Sequence, residues 1–209
     1  MVEKFRWLRK SIQTLNTPQP SQPPQLSKPP QLSKPPYLYR MDLNLLQHLP
    51  ADFPGTSKVW IYQSSRLFMI GEALEIEEMM NEFVSGWKSH RTPVKGYANL
   101  FFGQFIILMA DESATGVSGC STDSSVHLIK AIEKKFSVDM FNRETLAFMV
   151  KNKIQLIPLS QFAYAAGNNF IDENTPYFNN TVGTKEQLLK EWIIPVKKSW
   201  LAGKMKLIN

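Results

Sequence analysis

Cysteine is all but absent from this chain of 209 residues; Cys120 stands alone. One cysteine cannot close a disulfide within the chain, and a reducing compartment, the cytoplasm, is the expected setting. Histidine is nearly as scarce: His48, His90 and His127 are the three, and none stands at ligand spacing from Cys120 or another histidine. No metal site and no other cofactor is therefore expected. No apolar run reaches the ~18 residues of a membrane-spanning helix, so no transmembrane segment is expected. The N-terminus is basic but lacks the apolar stretch of a secretory signal. Without such a signal the sequon Asn179-Asn180-Thr181 carries no weight. Glycine is missing from residues 1–40, and net charge is missing from the rest.

What fills residues 1–40 is proline, eight of the fourteen in the chain, and a tandem hexapeptide. The repeat runs Pro23-Pro24-Gln25-Leu26-Ser27-Lys28, then Pro29-Pro30-Gln31-Leu32-Ser33-Lys34. Such a stretch cannot bury a core, and its expected state is extended and polyproline-like. It also holds seven basic residues against Glu3 alone, the whole excess of +6, while residues 41–209 carry 17 basic and 17 acidic side chains. A nucleic-acid-binding domain usually carries its positive charge within the fold, so no nucleic-acid partner is expected. Phe5, Leu8, Ile12 and Leu15 stand at roughly helical spacing among basic residues, a pattern that suits an anionic membrane surface. Met41-Asp42-Leu43-Asn44 reads as a domain start, and residues 1–40 read more simply as a disordered tail or a mis-assigned extension. Residues 41–209 are long enough for a single globular domain with a sizeable core.

Within that stretch, Asp42 to Leu49 reads as a short helix stopped by Pro50, and Asp52-Phe53-Pro54-Gly55 as a turn. Lys58 to Gln63 reads as a strand. Ile76, Met79, Met80, Phe83, Val84 and Trp87 recur at three- and four-residue steps and predict a helix over 72–88, closed by Lys88, His90 and Arg91. Tyr97 to Ala110 is a β-type run in which Gly103-Gln104 marks a hairpin turn or a bulge. A second helix is predicted over about 124–136, with Asp123 as its N-cap. Residues 145–150 and 154–157 read as strands, Ser160 to Ala166 as a short helix, and Lys185 to Ile194 as a helix opened by Thr184. The order suggests a single-domain α+β fold, a ferredoxin-like split β-α-β with a C-terminal helical extension. Trp60, Tyr62, Tyr97, Phe101, Phe102 and Phe105 read as core, since few cations accompany them to make a stacking platform.

The segment Ser118-Gly119-Cys120-Ser121-Thr122-Asp123-Ser124-Ser125 is the candidate site. It gathers a thiol and several hydroxyls before a predicted helix start, where unpaired N–H groups and the helix dipole favour an anion. One reading is binding of a small anionic ligand or a protein partner by Ser118, Gly119, Ser121, Thr122, Ser124 and Ser125, with Arg66 as a cation. A second is a thiol-dependent enzyme using Cys120, with His90 as cationic partner and Asp123 or Asp111 orienting it. A third is a structural or interaction protein without a ligand, the hydroxyls serving as caps and the cysteine as a small core residue.

Five stretches carry a resemblance. They are Trp60-Ile61-Tyr62-Gln63-Ser64-Ser65-Arg66, Phe83 to His90, Ser118 to Ser125, Phe178-Asn179-Asn180, and Trp192-Ile193-Ile194-Pro195 through Ser199-Trp200. Together they resemble a small bacterial family, met mainly in Bacteroidota, whose members often carry the label "ABC transporter ATPase". The resemblance spans about residues 41–205 and brings no catalytic residues with it. The label conflicts with the sequence. A P-loop needs G-x-x-x-x-G-K-[ST], and the nearest fragment, Gly183-Thr184-Lys185, lacks the earlier glycine. ATPase activity is not expected.

Overall fold

The structure is a computed structural model that describes residues 48–89, 92–111, 113 and 119–206, and of residues 119–122 the backbone alone. The aromatic and β-branched run Lys58–Gln63 is β1. The three- and four-residue apolar steps that follow form helix α1, Ile70–Gly86, with Ile76 and Met80 buried. The helix ends at Gly86, and Trp87 is already extended (φ −70°, ψ 124°). Lys88–Ser89 is therefore strand β2, paired with β3 (Thr92–Pro93), rather than the predicted helix end. Then come β4 (Lys95–Phe101) and β5 (Phe105–Asp111), which settle the Gly103-Gln104 alternatives in favour of a hairpin. Gly103 has φ +63° there, a left-handed value that glycine adopts without strain.

Helix α2 spans Gly119–Phe136. It is followed by β6 (Thr145–Val150), β7 (Lys153–Pro158), the short helix α3 (Phe162–Gly167) and β8 (Pro176–Phe178). Last come α4 (Lys185–Glu191), β9 (Ile193–Pro195) and α5 (Ala202–Met205). The helix predicted to reach Ile194 stops at Glu191. Ile193 and Ile194 are β-branched and precede a proline, which favours extended backbone. The predicted helix at residues 42–49 lies almost wholly outside the described residues.

The fold class is α+β. β1 and β4 both run antiparallel to β5, which lies between them, so β1, α1 and β4 make the expected split β-α-β unit. A ferredoxin-like sheet would place its next strand on the free edge of β1. Here that edge receives irregular chain instead: the Val59 N–H donates to the Gly183 carbonyl at 2.9 Å, and Lys58 bridges Thr184. The chain after α2 builds a second antiparallel sheet in the order β7-β6-β8-β9. The C-terminal part is thus a sheet with short helices on it, not a helical extension.

Side-chain alternation then sorts the layers. Val59, Ile61, Phe101, Phe105, Ile107 and Met109 face the second sheet, meeting Ala147, Phe178 and Trp192 in one core. Tyr62, Ile106 and Leu108 face the other way, onto Ile76 and Met80 of α1 and Ile129 and Ile132 of α2. The outer face of the second sheet carries Leu146, Phe148, Ile157 and Tyr177 under Phe162 and Ala165 of α3. The order of layers is helices, sheet, sheet, helices. No helix among the described residues is long and apolar enough to cross a membrane.

At the margin of the first sheet, the buried Trp87 ring packs on Phe83 (centroids 4.8 Å apart) and Trp60 (6.0 Å). A Cβ on Gly96 would lie 2.6 Å from that ring. That approach is to the rigid body of a buried ring, not to the end of a flexible side chain. Gly96→Ala is therefore expected to destabilise by about 1–3 kcal/mol through overpacking. Urea unfolding checks this, and a wild-type midpoint would refute it.

Candidate functional site

The structure keeps Gly119 to Ser125 on one helix and sets Arg66 apart from them. Helix α2 begins at Gly119, five residues before the predicted start, so Asp123 is not its N-cap but an exposed residue of its second turn. Ser, Thr and Asp are tolerated inside the helix because propensity is a weak preference that packing overrides, and Ser125, Ile129 and Ile132, each fully buried, form one helical stripe on the first sheet. Ser125 Oγ sits 3.4 Å from the Tyr62 hydroxyl on β1, and Ser124 is half-buried beside it. The orphan N–H groups of the helix thus belong to Gly119, Cys120, Ser121 and Thr122, whose side chains lie outside the description, as do Ser118 and His90.

Arg66 is at the wrong end of the helix for the expected site. Its Nη2 donates to the carbonyl of Phe136, the last residue of α2, at 2.8 Å. Gly119 lies roughly 25 Å away along an axis rising 1.5 Å per residue. The guanidinium also forms a bidentate pair with Glu72, at 2.7 and 2.8 Å, and Nη1 donates to the Leu67 carbonyl. Glu72 in turn accepts the Met69 N–H at the start of α1 (2.8 Å). Arg66 is a clamp joining the N-terminus of one helix to the C-terminus of the other, each with the charge its dipole favours. Asp111 is buried and accepts the Ser113 N–H at 3.0 Å, and its hydrogen bonds with Ser113, more than the nearby Lys95, hold its carboxyl below the usual range. Lys185 spends its ammonium on the carbonyls of Pro50 and Phe53 (2.8 and 2.7 Å). Among the described residues no three His, Cys, Asp or Glu side chains come together.

A cleft that the sequence did not announce lies where the chain passes from the first sheet to the second. It has a volume of about 150 Å³. Its walls include Ile61 and Gln63 of β1, Arg143 and Thr145 at the entry to β6, Tyr177 and Phe178 of β8, and Asn180 and Trp200. A chain of hydrogen bonds orients its amides. Trp192 Nε1, which can only donate, reaches Asn180 Oδ1 at 3.0 Å. Asn180 Nδ2 must then point the other way, and it meets Gln63 Oε1 at 2.8 Å. Gln63 Nε2 follows, donating to the Thr145 carbonyl at 3.0 Å. Each amide nitrogen keeps a second N–H beyond these bonds.

Two further groups add donors. Trp200 Nε1 donates to the Tyr177 hydroxyl at 3.2 Å, and burial pushes the Tyr177 phenol pKa up, so it keeps its proton. Arg143 is exposed and has no hydrogen-bond or ion-pair partner among the described residues. Its backbone is fixed from both sides. Asp139 Oδ1 accepts the N–H groups of Phe141 and Asn142, and Asn142 Oδ1 accepts those of Glu144 and Thr145. Among the described residues no carboxylate lines the cleft. Donors, one cation and apolar walls suit a small anion with an apolar part. The sequence missed this because Gln63, Arg143, Asn180 and Trp200 lie in four separate segments with no shared spacing. Only the polar Gln63 at the end of a buried strand was a signal.

The Arg66 clamp gives a pH signature. Arg66 first, and the Met69 N–H second, lower the Glu72 pKa to about 2. A carboxyl whose folded pKa lies below its unfolded value of about 4.3 stabilises the fold above that value. The contribution fades as pH falls toward 2. The stability gap between wild type and Glu72→Gln is therefore expected to be full at pH 7, to shrink below pH ~4.3 and to vanish near pH 2. Denaturant titrations at several pH values measure it, and a gap independent of pH would contradict the clamp. No protein-family model, curated protein or solved structure matches this chain.

Proposed function

We propose that this protein binds a small anionic molecule in the cleft between its two sheets, Arg143 taking the negative charge and Asn180, Gln63 and Tyr177 donating hydrogen bonds. The observation that carries the reading is the lining itself: oriented donors and an arginine that, among the described residues, has no partner and meets no carboxylate that would oppose an anion. A volume of 150 Å³ has room for about a single ring, which Trp200, Phe178 and Ile61 would cover. Among the described residues neither histidine nor cysteine lines the cleft, and the tyrosine is held neutral, which favours recognition over acid–base chemistry.

The anion expected at the Ser118–Ser125 segment is thus assigned to another place in the fold. The segments on which the family resemblance rests support that assignment. Trp60–Arg66, Phe178–Asn180 and Trp192–Trp200 supply Gln63, Phe178, Asn180, Trp192 and Trp200 to the cleft or its hydrogen bonds. We place the chain with that family and in the cytoplasm, on the resemblance and the lone cysteine. Nucleic acid is not the partner we propose, because Tyr62, Phe101 and Phe105 are spent in the cores.

Benzoate and phenyl phosphate are suitable probes, with neutral benzamide as control. One of the anions is expected to shift the Trp200 indole resonance and raise the melting temperature. Arg143→Gln should weaken that binding by about tenfold, roughly 1.4 kcal/mol, without lowering stability. Benzamide binding as tightly as the anions, or an Arg143→Gln variant that binds like wild type, would refute the reading.

A further inference from the structure

The second sheet ends in an open edge. Among the described residues β7 pairs with β6 on one side and with no strand on the other. The register shows which backbone groups are left over. The Leu159 N–H donates to the Glu144 carbonyl at 2.7 Å, and bonded and unbonded pairs alternate along an antiparallel ladder. Ile157, Gln155 and Lys153 therefore turn their backbone groups toward β6. Ile154, Leu156 and Pro158 turn theirs outward, and Pro158 has no N–H to lose.

This edge is not bare. A groove of about 630 Å³ runs between β7 and α3, lined by Gln155, Leu156 and Ile157 on one side and Tyr164, Ala165 and Phe170 on the other. Tyr164 and Phe170 are 76% and 46% exposed, an unusual position for aromatic rings with no role in the core. Among the described residues no carboxylate lines the groove, and Lys151 is part of its lining. Lys151 and Lys153 are both exposed and have no ion-pair partner among the described residues. Lys153 and Pro158 close the two ends against indefinite pairing, leaving a window of a few residues.

We infer that the β7 edge is a docking site for an extended, acidic segment of a partner protein, which adds as a strand. Its backbone pairs with Ile154 and Leu156, an apolar side chain seats between Tyr164 and Phe170, and its carboxylates meet Lys151 and Lys153. Strand addition explains why unpaired backbone, exposed aromatics and unpaired positive charge occur together. The length of β7 matches about five or six extended residues.

The test titrates the full chain with an acetylated, amidated hexapeptide alternating aspartate and valine, read by amide proton–nitrogen correlation spectra. Saturable shifts at the Ile154 and Leu156 amides are expected. They should be lost with a peptide N-methylated at alternate residues and with a lysine–valine peptide. Lys153→Glu and Tyr164→Ser, both at exposed positions, should each weaken binding by about tenfold while leaving the rest of the spectrum unchanged. Absence of saturable shifts overturns the inference, as does equal binding of the N-methylated or the lysine peptide. Shifts at the same amides that depend on protein concentration without peptide would assign the edge to a second copy, and overturn it too.

Discussion

Everything in this fold answers to one constraint: β5 is buried on both faces. All seven of its residues are inside, and five of them, Phe105 to Met109, are large apolar side chains with no exposed surface. Each such side chain is stabilised by roughly 1.5–3 kcal/mol when covered and contributes nothing when left in water. A strand of this kind needs a cover on each side. Helices α1 and α2 supply one and the second sheet supplies the other, so the layered order follows from the requirements of a single strand.

The two covers are secured by different means. On the helical side, Arg66 joins the ends of α1 and α2 through charge-assisted bonds to Glu72 and the Phe136 carbonyl. On the sheet side, the seam is a hydrogen-bonded run from Trp192 through Asn180 and Gln63 to the Thr145 backbone. Solvent screens the part-exposed guanidinium of the clamp, whereas a buried amide left without its partner is expensive. The seam therefore constrains the geometry of the molecule more than the clamp does. The cleft lies along the seam, since Gln63, Thr145 and Asn180 line it.

Periodicity made most elements legible. The apolar steps from Ile76 to Phe83, the aromatic run Trp60 to Tyr62 and the unbroken run Phe105 to Ala110 each named their structure, because burial acts directly on side-chain spacing. Thr184 was legible as a cap, and it accepts the Gln187 N–H. Residues Ser121 to Ser125 were misread. Their hydroxyls have the chemistry of a helix start, but α2 already runs from Gly119, and Ser125 belongs to the stripe it buries with Ile129 and Ile132. Lys88 was read as a helix end on charge alone, while Gly86 and the packing of Trp87 had already turned the chain.

By itself the sequence determined the α+β class, the strands and helices of strong period, and the absence of a disulfide framework. These depend on residue type and on neighbours a few positions apart, which is what a linear string records. The tertiary structure alone decided that the last third of the chain forms a second sheet. It also placed Arg66 far from the start of α2 and brought Gln63, Arg143, Asn180 and Trp200 around one cleft. Those outcomes depend on which surfaces remain uncovered once the first sheet has formed, and no local pattern encodes that.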